Sequence, residues 1–316
     1  MLRVGLRSRR LARMKKIVSG FAAVAAVLMM GAQCAGAQDW AKENLAKSPR
    51  HGEFVTITEP GGRKLQAWVV YPEVKGKAPV VVMIHEIFGL SDWAREMADE
   101  VAGAGYIVVE PDLLSGYGPA PAAGSAPAAA AAPMDHDHMQ AGGGPGSAFV
   151  PADPGGTAAF PADQVTKAVS SLDKAGITAD LDAAADYGKK LPAASGKVFV
   201  AGFCFGGSES FRFATHRKDL SGAMVFYGTP PPAEDMKNIT APVYGFYAGN
   251  DARVTATVPA ATEAMKAAGK KYDPVTYDGA GHGFMRAGEA PNASAENAAA
   301  RAAGFRRFVE LLGGVR

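Results

Sequence analysis

The 316-residue chain lacks the features that define several large classes of protein. It has two cysteines, Cys34 and Cys204, which are too few for a disulfide scaffold. Beyond the N-terminus it has no apolar run of about 20 residues, which argues against a multi-pass membrane protein. A hydrophobic content of 48% with 20% charged residues excludes a wholly disordered chain. We therefore expect a folded protein of one large domain or two smaller ones.

The first 37 residues contain no acidic side chain and carry seven basic ones. An apolar run follows at residues 17–30, and Ala35-Gly36-Ala37 has the small-x-small pattern that a signal peptidase needs. The run is too short for a comfortable membrane span. We therefore predict a cleaved signal peptide over residues 1–37 and a periplasmic or secreted mature protein. An uncleaved N-terminal anchor is the alternative.

Cleavage after Ala37 would remove seven positive charges and no negative ones, which changes the formal net charge from +2 to −5. A mildly acidic protein has no electrostatic footprint for nucleic acid, so we expect no nucleic-acid partner. We also expect no stable membrane association once the signal is removed. Cys204 would then be the only thiol of the mature chain.

Apolar, β-branched runs alternate with helical patterns along the rest of the chain. Strands are predicted at residues 55–58, 65–71, 79–84, 106–109, 197–201, 222–227, 242–247 and 273–277. Helices are predicted at residues 92–102, 164–175, 179–190, 206–216, 259–268 and 295–312. This alternation indicates an α/β fold with a mostly parallel central sheet and helices on both faces. Ligands of such sheets bind at the loops that follow the carboxyl ends of the strands.

One segment, residues 115–160, interrupts the alternation. Ala, Gly and Pro make up 30 of its 46 residues, so it has little apolar bulk to bury. It begins after a strand end, on the ligand side of the sheet. We therefore predict a flexible surface insertion within a single domain that spans residues 38–316.

A possible nucleophile stands between a predicted strand and a predicted helix, in the run Gly202-Phe203-Cys204-Phe205-Gly206. This is the G-x-C-x-G form of the nucleophile elbow, in which glycines allow a sharp turn that projects the central side chain into a cleft. The start of the following helix is expected to favour the thiolate and lower its pKa. A small buried structural cysteine is the alternative.

Two further strand ends carry an acid and a base. Asp251 follows the predicted strand at residues 242–247, and His282 follows the last predicted strand. The order nucleophile, acid, base is that of α/β-hydrolases. His282 is then the general base and acid, and Asp251 holds its tautomer and stabilises the imidazolium. Taken singly, an ordinary turn and a solvated loop histidine explain these residues equally well.

The loop after residues 79–84 contains His85, Glu86 and Ile87. Hydrolases place an oxyanion donor at this position, so the backbone N–H groups of Ile87 and Phe205 are expected to converge on the developing oxyanion. Glu86 is either a solvated loop acid or a carboxylate in contact with Cys204, and the second is favoured.

Four motifs together resemble the dienelactone hydrolase (carboxymethylenebutenolidase) family: HEIFGL at residues 85–90, GFCFGG at 202–207, GND at 249–251 and GHGFMR at 281–286. The resemblance implies a single-domain α/β-hydrolase without cofactor that opens a lactone through a Cys-His-Asp triad. It also implies that Glu86 interacts with the resting thiol and helps to generate the thiolate when substrate binds. Arg286 matches one of two arginines that bind the substrate carboxylate.

The chain departs from this family pattern in the segment expected to hold the second arginine. No arginine occurs between Arg95 and Arg212, and Arg253 is the nearest candidate substitute in the sequence. His85 also stands where well-characterised members have glutamine. Export is a further departure, because the aromatic-degradation enzymes of the family act in the cytoplasm.

The insertion contains one feature that is not low complexity, a tract with the possible copper ligands Met134, His136, His138 and Met139. A solvated polar patch that binds nothing tightly is the alternative. Three functions therefore stay open: a lactone or activated-ester hydrolase, a thioester or acyl-ester hydrolase with the same triad, and a periplasmic metal-binding or stress protein on a hydrolase scaffold. The intact triad residues count against the third.

Overall fold

The computed structural model of the protein describes residues 38–119 and 149–314. The predicted signal peptide at residues 1–37 lies outside the described residues. The four candidate metal ligands, at positions 134, 136, 138 and 139, lie outside them as well. The predictions for both segments therefore stay predictions.

By its internal contacts the chain divides into two units, Met1–Trp40 and Ala41–Arg316. Residues 38–40, which include the first two residues of helix Asp39–Lys47, are the described part of the first unit, and the rest of the fold below belongs to the second. Within the described ranges, every helix is too short or too polar to cross a membrane.

The central sheet has eight strands, β1 (Gly52–Thr58), β2 (Lys64–Val70), β3 (Ala78–Ile84), β4 (Ile107–Pro111), β7 (Ala194–Phe203), β8 (Leu220–Phe226), β9 (Val243–Ala248) and β10 (Tyr272–Tyr277). Their order across the sheet is β1-β2-β4-β3-β7-β8-β9-β10, and the two strands between β4 and β7 in the sequence form a separate pair. β2 pairs antiparallel with β1 and β4, and the other neighbours are parallel. The carboxyl ends of β3, β7, β8, β9 and β10 therefore meet at one edge of the sheet.

The first of the longer helices precedes β1, the last follows β10, and the others lie between strands along the chain. They span Asp39–Lys47, Asp92–Gly103, Ala162–Ser170, Lys174–Lys190, Phe205–His216, Val258–Ala267 and Ala295–Gly314. Short helical turns lie at Thr157–Ala159, Ala233–Met236, Ala252–Thr255 and Phe284–Ala287.

Helices cover both faces of the sheet because its central strands are apolar on both sides. All seven residues of β3 are buried. Val80 and Val82 share a core cluster with Leu181 of helix Lys174–Lys190, and Phe211 of helix Phe205–His216 belongs to it too. On the opposite face, the Phe226 ring lies 5.3 Å from that of Phe308 in the last helix. The predicted α/β class with a mostly parallel sheet is confirmed.

The predicted helix at residues 164–175 is wrong at its C-terminal end. The helix ends at Ser170, and a new one begins at Lys174. Asp173 caps the second helix, because its side chain accepts hydrogen bonds from the N–H groups of Ala175 and Gly176. Because Asp173 caps the start of the second helix, the first helix does not continue through this position.

The two ends of the 115–160 segment contain strands, whereas residues 120–148 lie outside the described residues, so the prediction that most of the segment is flexible stays a prediction. β5 (Ser115–Pro119) and β6 (Phe149–Gly155) form a separate antiparallel pair. The rings of Tyr117 and Phe149 lie 4.4 Å apart and belong to a small apolar cluster. Their aromatic side chains supply the buried area that the abundant Ala and Gly cannot.

Candidate active site

Cys204 occupies the sharp turn between β7 and helix Phe205–His216. Its backbone has φ 56°, in the left-handed region that side chains other than glycine rarely adopt. A Cβ atom on Gly202 would lie 1.9 Å from the carbonyl oxygen of Gly206, and one on Gly206 would lie 2.2 Å from that of Ile84. The two glycines are therefore required by close backbone approach, as expected for a nucleophile elbow.

Cys204, His282 and Asp251 form a continuous chain of contacts at the carboxyl edge of the sheet. The Sγ atom of Cys204 lies 3.1 Å from Nε2 of His282. Nδ1 of the same ring lies 2.5 Å from Oδ2 of Asp251. The Asp251 side chain is 8% exposed and that of His282 is 24% exposed, so Asp251 lies at the buried end of this series of contacts and His282 lies nearer to solvent.

The backbone N–H groups of Ile87 and Phe205 both donate hydrogen bonds to the sulfur of Cys204. One amide comes from the loop after β3 and the other from the first residue of the helix after the elbow. The two predicted oxyanion donors therefore converge on the same point. If the sulfur forms a bond to the carbonyl carbon of a substrate, the oxygen on that carbon would lie within hydrogen-bonding distance of both amides.

The acidity of Cys204 differs from what the elbow motif suggests. Burial raises the pKa of the thiol to about 11, and the nearby negative charge of Glu86 adds to this effect. The N–H groups of Phe205 and Ile87 lower the pKa, as does the positive charge of Arg253, but their effect is smaller. The expectation of a lowered pKa is therefore wrong for the resting site, because loss of solvation outweighs the helix N-terminus.

Glu86 is a buried carboxylate rather than a solvated loop acid. Its Oε2 atom accepts a 2.7 Å hydrogen bond from Nε of Arg286, and its Oε1 atom accepts one of 3.2 Å from the Tyr227 hydroxyl. Among the hydrogen bonds of the described residues, none joins Glu86 to Cys204. Its influence on the thiol is therefore that of a nearby charge.

Tyr227 is a site residue that the sequence does not reveal. It directly follows β8, and its fully buried ring meets the His282 ring edge-on at 5.1 Å. Burial raises the pKa of its hydroxyl well above the ordinary value, so the group stays a hydrogen-bond donor to Glu86. Its φ of 39° is unusual for a side-chain-bearing residue. A Tyr-Gly pair after a strand is the only sequence signal, and it is weak.

The two arginines of interest have different surroundings. Arg286 is 22% exposed, pairs with Glu86 and lies over the Phe88 ring at 4.9 Å. Arg253 is exposed, on the helical turn Ala252–Thr255. Within residues 38–119 and 149–314 it makes no hydrogen bond or ion pair, although its charge acts on Cys204. Arg286 is thus compensated by a carboxylate, while Arg253 supplies free positive charge.

A separate group of carboxylates, Glu96, Glu100 and Glu289, offers oxygen atoms within 4.8 Å of one another. Arg301 already donates hydrogen bonds to Glu100 and Glu289. Burial raises the pKa of both Glu96 and Glu100 to about 7, so protons and the arginine share in offsetting the negative charge. These residues lie outside the Cys204 site.

The mostly parallel sheet, with a cysteine elbow after β7 and an acid and a histidine after β9 and β10, defines an α/β-hydrolase. The model of the dienelactone hydrolase family matches residues 65–315. The chain therefore belongs to the dienelactone hydrolase family, and it is a hydrolase that acts on ester bonds.

The chain is similar to individual relatives in sequence and to solved structures in fold. The carboxymethylenebutenolidase of Pseudomonas putida is 27% identical over 240 residues, which cover 74% of this chain and 86% of that protein. A dienelactone hydrolase-like promiscuous phosphotriesterase from metagenomic libraries has a TM-score of 0.63 at 22% identity, over 84% of this chain and 98% of the other. An acylaminoacyl peptidase shares the fold more distantly, with a TM-score of 0.55 at 15% identity, over 83% of this chain and 41% of the other.

Proposed function

We propose that the protein hydrolyses small lactones or activated esters, with Cys204 as nucleophile, His282 as general base and acid, and Asp251 as the residue that orients His282. One observation carries the proposal. Sγ, the imidazole and the carboxylate form an unbroken chain with separations of 3.1 and 2.5 Å, and two backbone amides point at the same sulfur.

Acylation begins with proton transfer from the thiol to Nε2 of His282. The sulfur attacks the carbonyl carbon, and the carbonyl oxygen becomes an oxyanion held by the N–H groups of Ile87 and Phe205. Asp251 stabilises the imidazolium through Nδ1. Collapse of the tetrahedral intermediate breaks the C–O bond, and the imidazolium gives its proton to the departing alkoxide. In a lactone this alkoxide stays attached to the acyl chain.

Deacylation repeats the sequence with water. His282 takes a proton from a water molecule, whose oxygen attacks the thioester carbon. The C–S bond then breaks, and the thiolate of Cys204 recovers the proton from His282. One water is consumed, and the product of a lactone is a hydroxy acid.

In the proposed function, Glu86 helps to keep the thiol of Cys204 protonated in the resting site. A pKa of about 11 keeps Cys204 protonated near neutral pH, so the thiolate forms as the substrate binds and not before. The negative charge of Glu86 opposes premature ionisation. Its hydrogen bonds to Arg286 and Tyr227 hold that charge beside the site without a hydrogen bond to the sulfur.

We also propose that the mature protein is exported, on the strength of the basic, apolar and small-residue pattern of residues 1–37. N-terminal sequencing of the protein from periplasmic and culture fractions tests this. A mature chain that begins at Gln38 agrees with export by cleavage, whereas an intact N-terminus in the cytoplasm contradicts it.

The catalytic proposal is tested with Cys204→Ala and Cys204→Ser on a panel of p-nitrophenyl esters, thioesters and simple lactones. The alanine variant is expected to lose ~10³-fold or more of kcat/KM while its melting temperature stays close to that of the wild type. The serine variant is expected to keep little activity, since a hydroxyl is far less acidic than a thiol. Alanine-variant activity within tenfold of the wild type rules out Cys204 as nucleophile.

A further inference from the structure

His85 lies directly after β3 and is completely buried. Its Nδ1 atom is 2.7 Å from the carbonyl oxygen of Glu86, and its Nε2 atom is 3.4 Å from the backbone nitrogen of Leu113. Burial lowers the pKa of the imidazole, so the ring is neutral. A carbonyl can only accept and an N–H can only donate. The proton therefore sits on Nδ1, and the ring donates to Glu86 and accepts from Leu113.

This hydrogen bond fixes the peptide unit between Glu86 and Ile87. The unit is trans and planar, so its C=O and N–H groups point in opposite directions. His85 holds the carbonyl on one side. The N–H of Ile87 therefore points to the other side, where it donates to the sulfur of Cys204.

His85 also contacts the second donor residue. Its ring is stacked on that of Phe205, with a centroid separation of 6.4 Å and an interplanar angle of 17°. The backbone of the loop after β3 closely approaches the start of helix Phe205–His216 at the same place, because a Cβ atom on Gly206 would lie 2.6 Å from the carbonyl oxygen of His85. One buried ring therefore touches both segments that supply the oxyanion donors.

We propose that His85 is a positioning residue for the oxyanion site: through the carbonyl of Glu86 it aims the N–H of Ile87 at the oxygen that becomes negative in the transition state. The proposal rests on the proposed function, in which that oxygen forms beside Cys204. Donors of this kind act mainly in the transition state, so their misalignment lowers kcat more than it changes KM.

The test compares His85→Leu, which removes the donor, with His85→Asn, whose amide nitrogen can take the place of Nδ1. Loss of a whole oxyanion donor lowers kcat about 10²- to 10³-fold, so loss of its alignment is expected to lower kcat about 10- to 100-fold in His85→Leu. KM for a neutral ester is expected to change less than about threefold, and His85→Asn is expected to recover most of kcat. The exposed His216, changed to Leu, is the matched control.

A readout that a merely structural role would not move is the affinity for a trifluoromethyl ketone, whose adduct with a thiolate carries an oxyanion. This affinity is expected to fall in His85→Leu in parallel with kcat and to return in His85→Asn. A folded His85→Leu with wild-type kcat and ketone affinity overturns the proposal. So does a loss of kcat with unchanged ketone affinity.

If His85→Leu does not fold, His85→Asn decides alone, and a loss of kcat above about 50-fold in a folded Asn variant overturns the proposal. Cys204→Ala is assayed alongside. Full activity in Cys204→Ala contradicts the proposed function itself. If Cys204→Ala is inactive and both His85 variants have wild-type kcat, only the positioning role of His85 is contradicted.

Discussion

Two buried carboxylates at the carboxyl edge of the sheet differ in the partner that each one holds. Asp251 is hydrogen-bonded to Nδ1 of His282, a ring that gains a proton during the proposed reaction. Glu86 is bonded to Arg286, which is already charged, and to the neutral hydroxyl of Tyr227. The same functional group is thus expected to assist the reaction in one place and to keep the thiol protonated in the other.

In the proposed reaction, the partner of each carboxylate decides its role. A carboxylate beside a group that becomes cationic stabilises the transition state. Glu86 is paired with Arg286, whose charge does not change during the reaction. The negative charge of Glu86 still acts on the nearby thiol of Cys204 and raises its pKa.

The largest effect is expected from Asp251→Asn. The amide would favour the wrong imidazole tautomer and could not stabilise the imidazolium, so kcat/KM is expected to fall about 10²- to 10⁴-fold. Glu86→Gln is the matched control, because it also removes one buried carboxylate. A loss of kcat/KM below tenfold in Asp251→Asn, or an equal loss in both variants, would contradict the different roles assigned to the two carboxylates.

A smaller effect distinguishes the two arginines. Arg286→Ala leaves the buried Glu86 carboxylate without its cation, so kcat/KM is expected to fall for neutral and anionic lactones alike. Arg253→Ala removes an exposed, uncompensated charge near the thiol. It is expected to lower kcat/KM about fivefold more for a carboxylate-bearing lactone than for the matched neutral lactone, since the loss of its charge at Cys204 affects both substrates equally.

The control for Arg253→Ala is Arg306→Ala, which removes another exposed arginine, on the last helix. Added salt is expected to reduce the effect of Arg253→Ala, since exposed charges are screened. If the anionic-to-neutral ratio changes only in Arg286→Ala, Arg286 binds the substrate carboxylate, as the family resemblance implies, and Arg253 does not.

The smallest effect is expected from Glu86→Gln on the ionisation of Cys204. Removing a negative charge lowers the pKa of a thiol that lies at about 11, so the thiolate fraction at a given pH below the pKa rises. A decrease of about half a unit would raise the rate of iodoacetamide alkylation at pH 8 roughly threefold. The exposed Glu263, changed to Gln, is the control. A slower or unchanged rate in Glu86→Gln contradicts the assigned influence of this carboxylate.

The three residues of the proposed triad can be selected from the sequence because each stands in a short motif after a strand. Cys204, Asp251 and His282 are far apart along the chain, but the carboxyl ends of parallel strands meet at one edge of the sheet. Recognising three strand ends was therefore enough to expect the three side chains together. The same reasoning predicts that the Ile87 and Phe205 amides lie beside Cys204, and their role as oxyanion donors stays a prediction.

The remainder depends on contacts that no local pattern encodes. Glu86 and Arg286 are 200 residues apart, and nothing in either motif shows that they pair. The raised pKa of Cys204 follows from burial in three dimensions, which a strand–turn–helix motif does not report. β5 and β6 were missed because an Ala- and Gly-rich composition concealed the few side chains, such as Tyr117 and Phe149, that pack.

The central claim is that Cys204 forms a covalent acyl intermediate, and trapping that intermediate tests it most directly. The protein is mixed with an excess of an activated ester, quenched in acid within the first turnover and digested for peptide mass spectrometry. We expect the mass of the acyl group on the peptide that contains Cys204, and its absence in Cys204→Ala. An acyl group on a different side chain, or steady turnover by enzyme whose Cys204 is fully alkylated, would contradict the account.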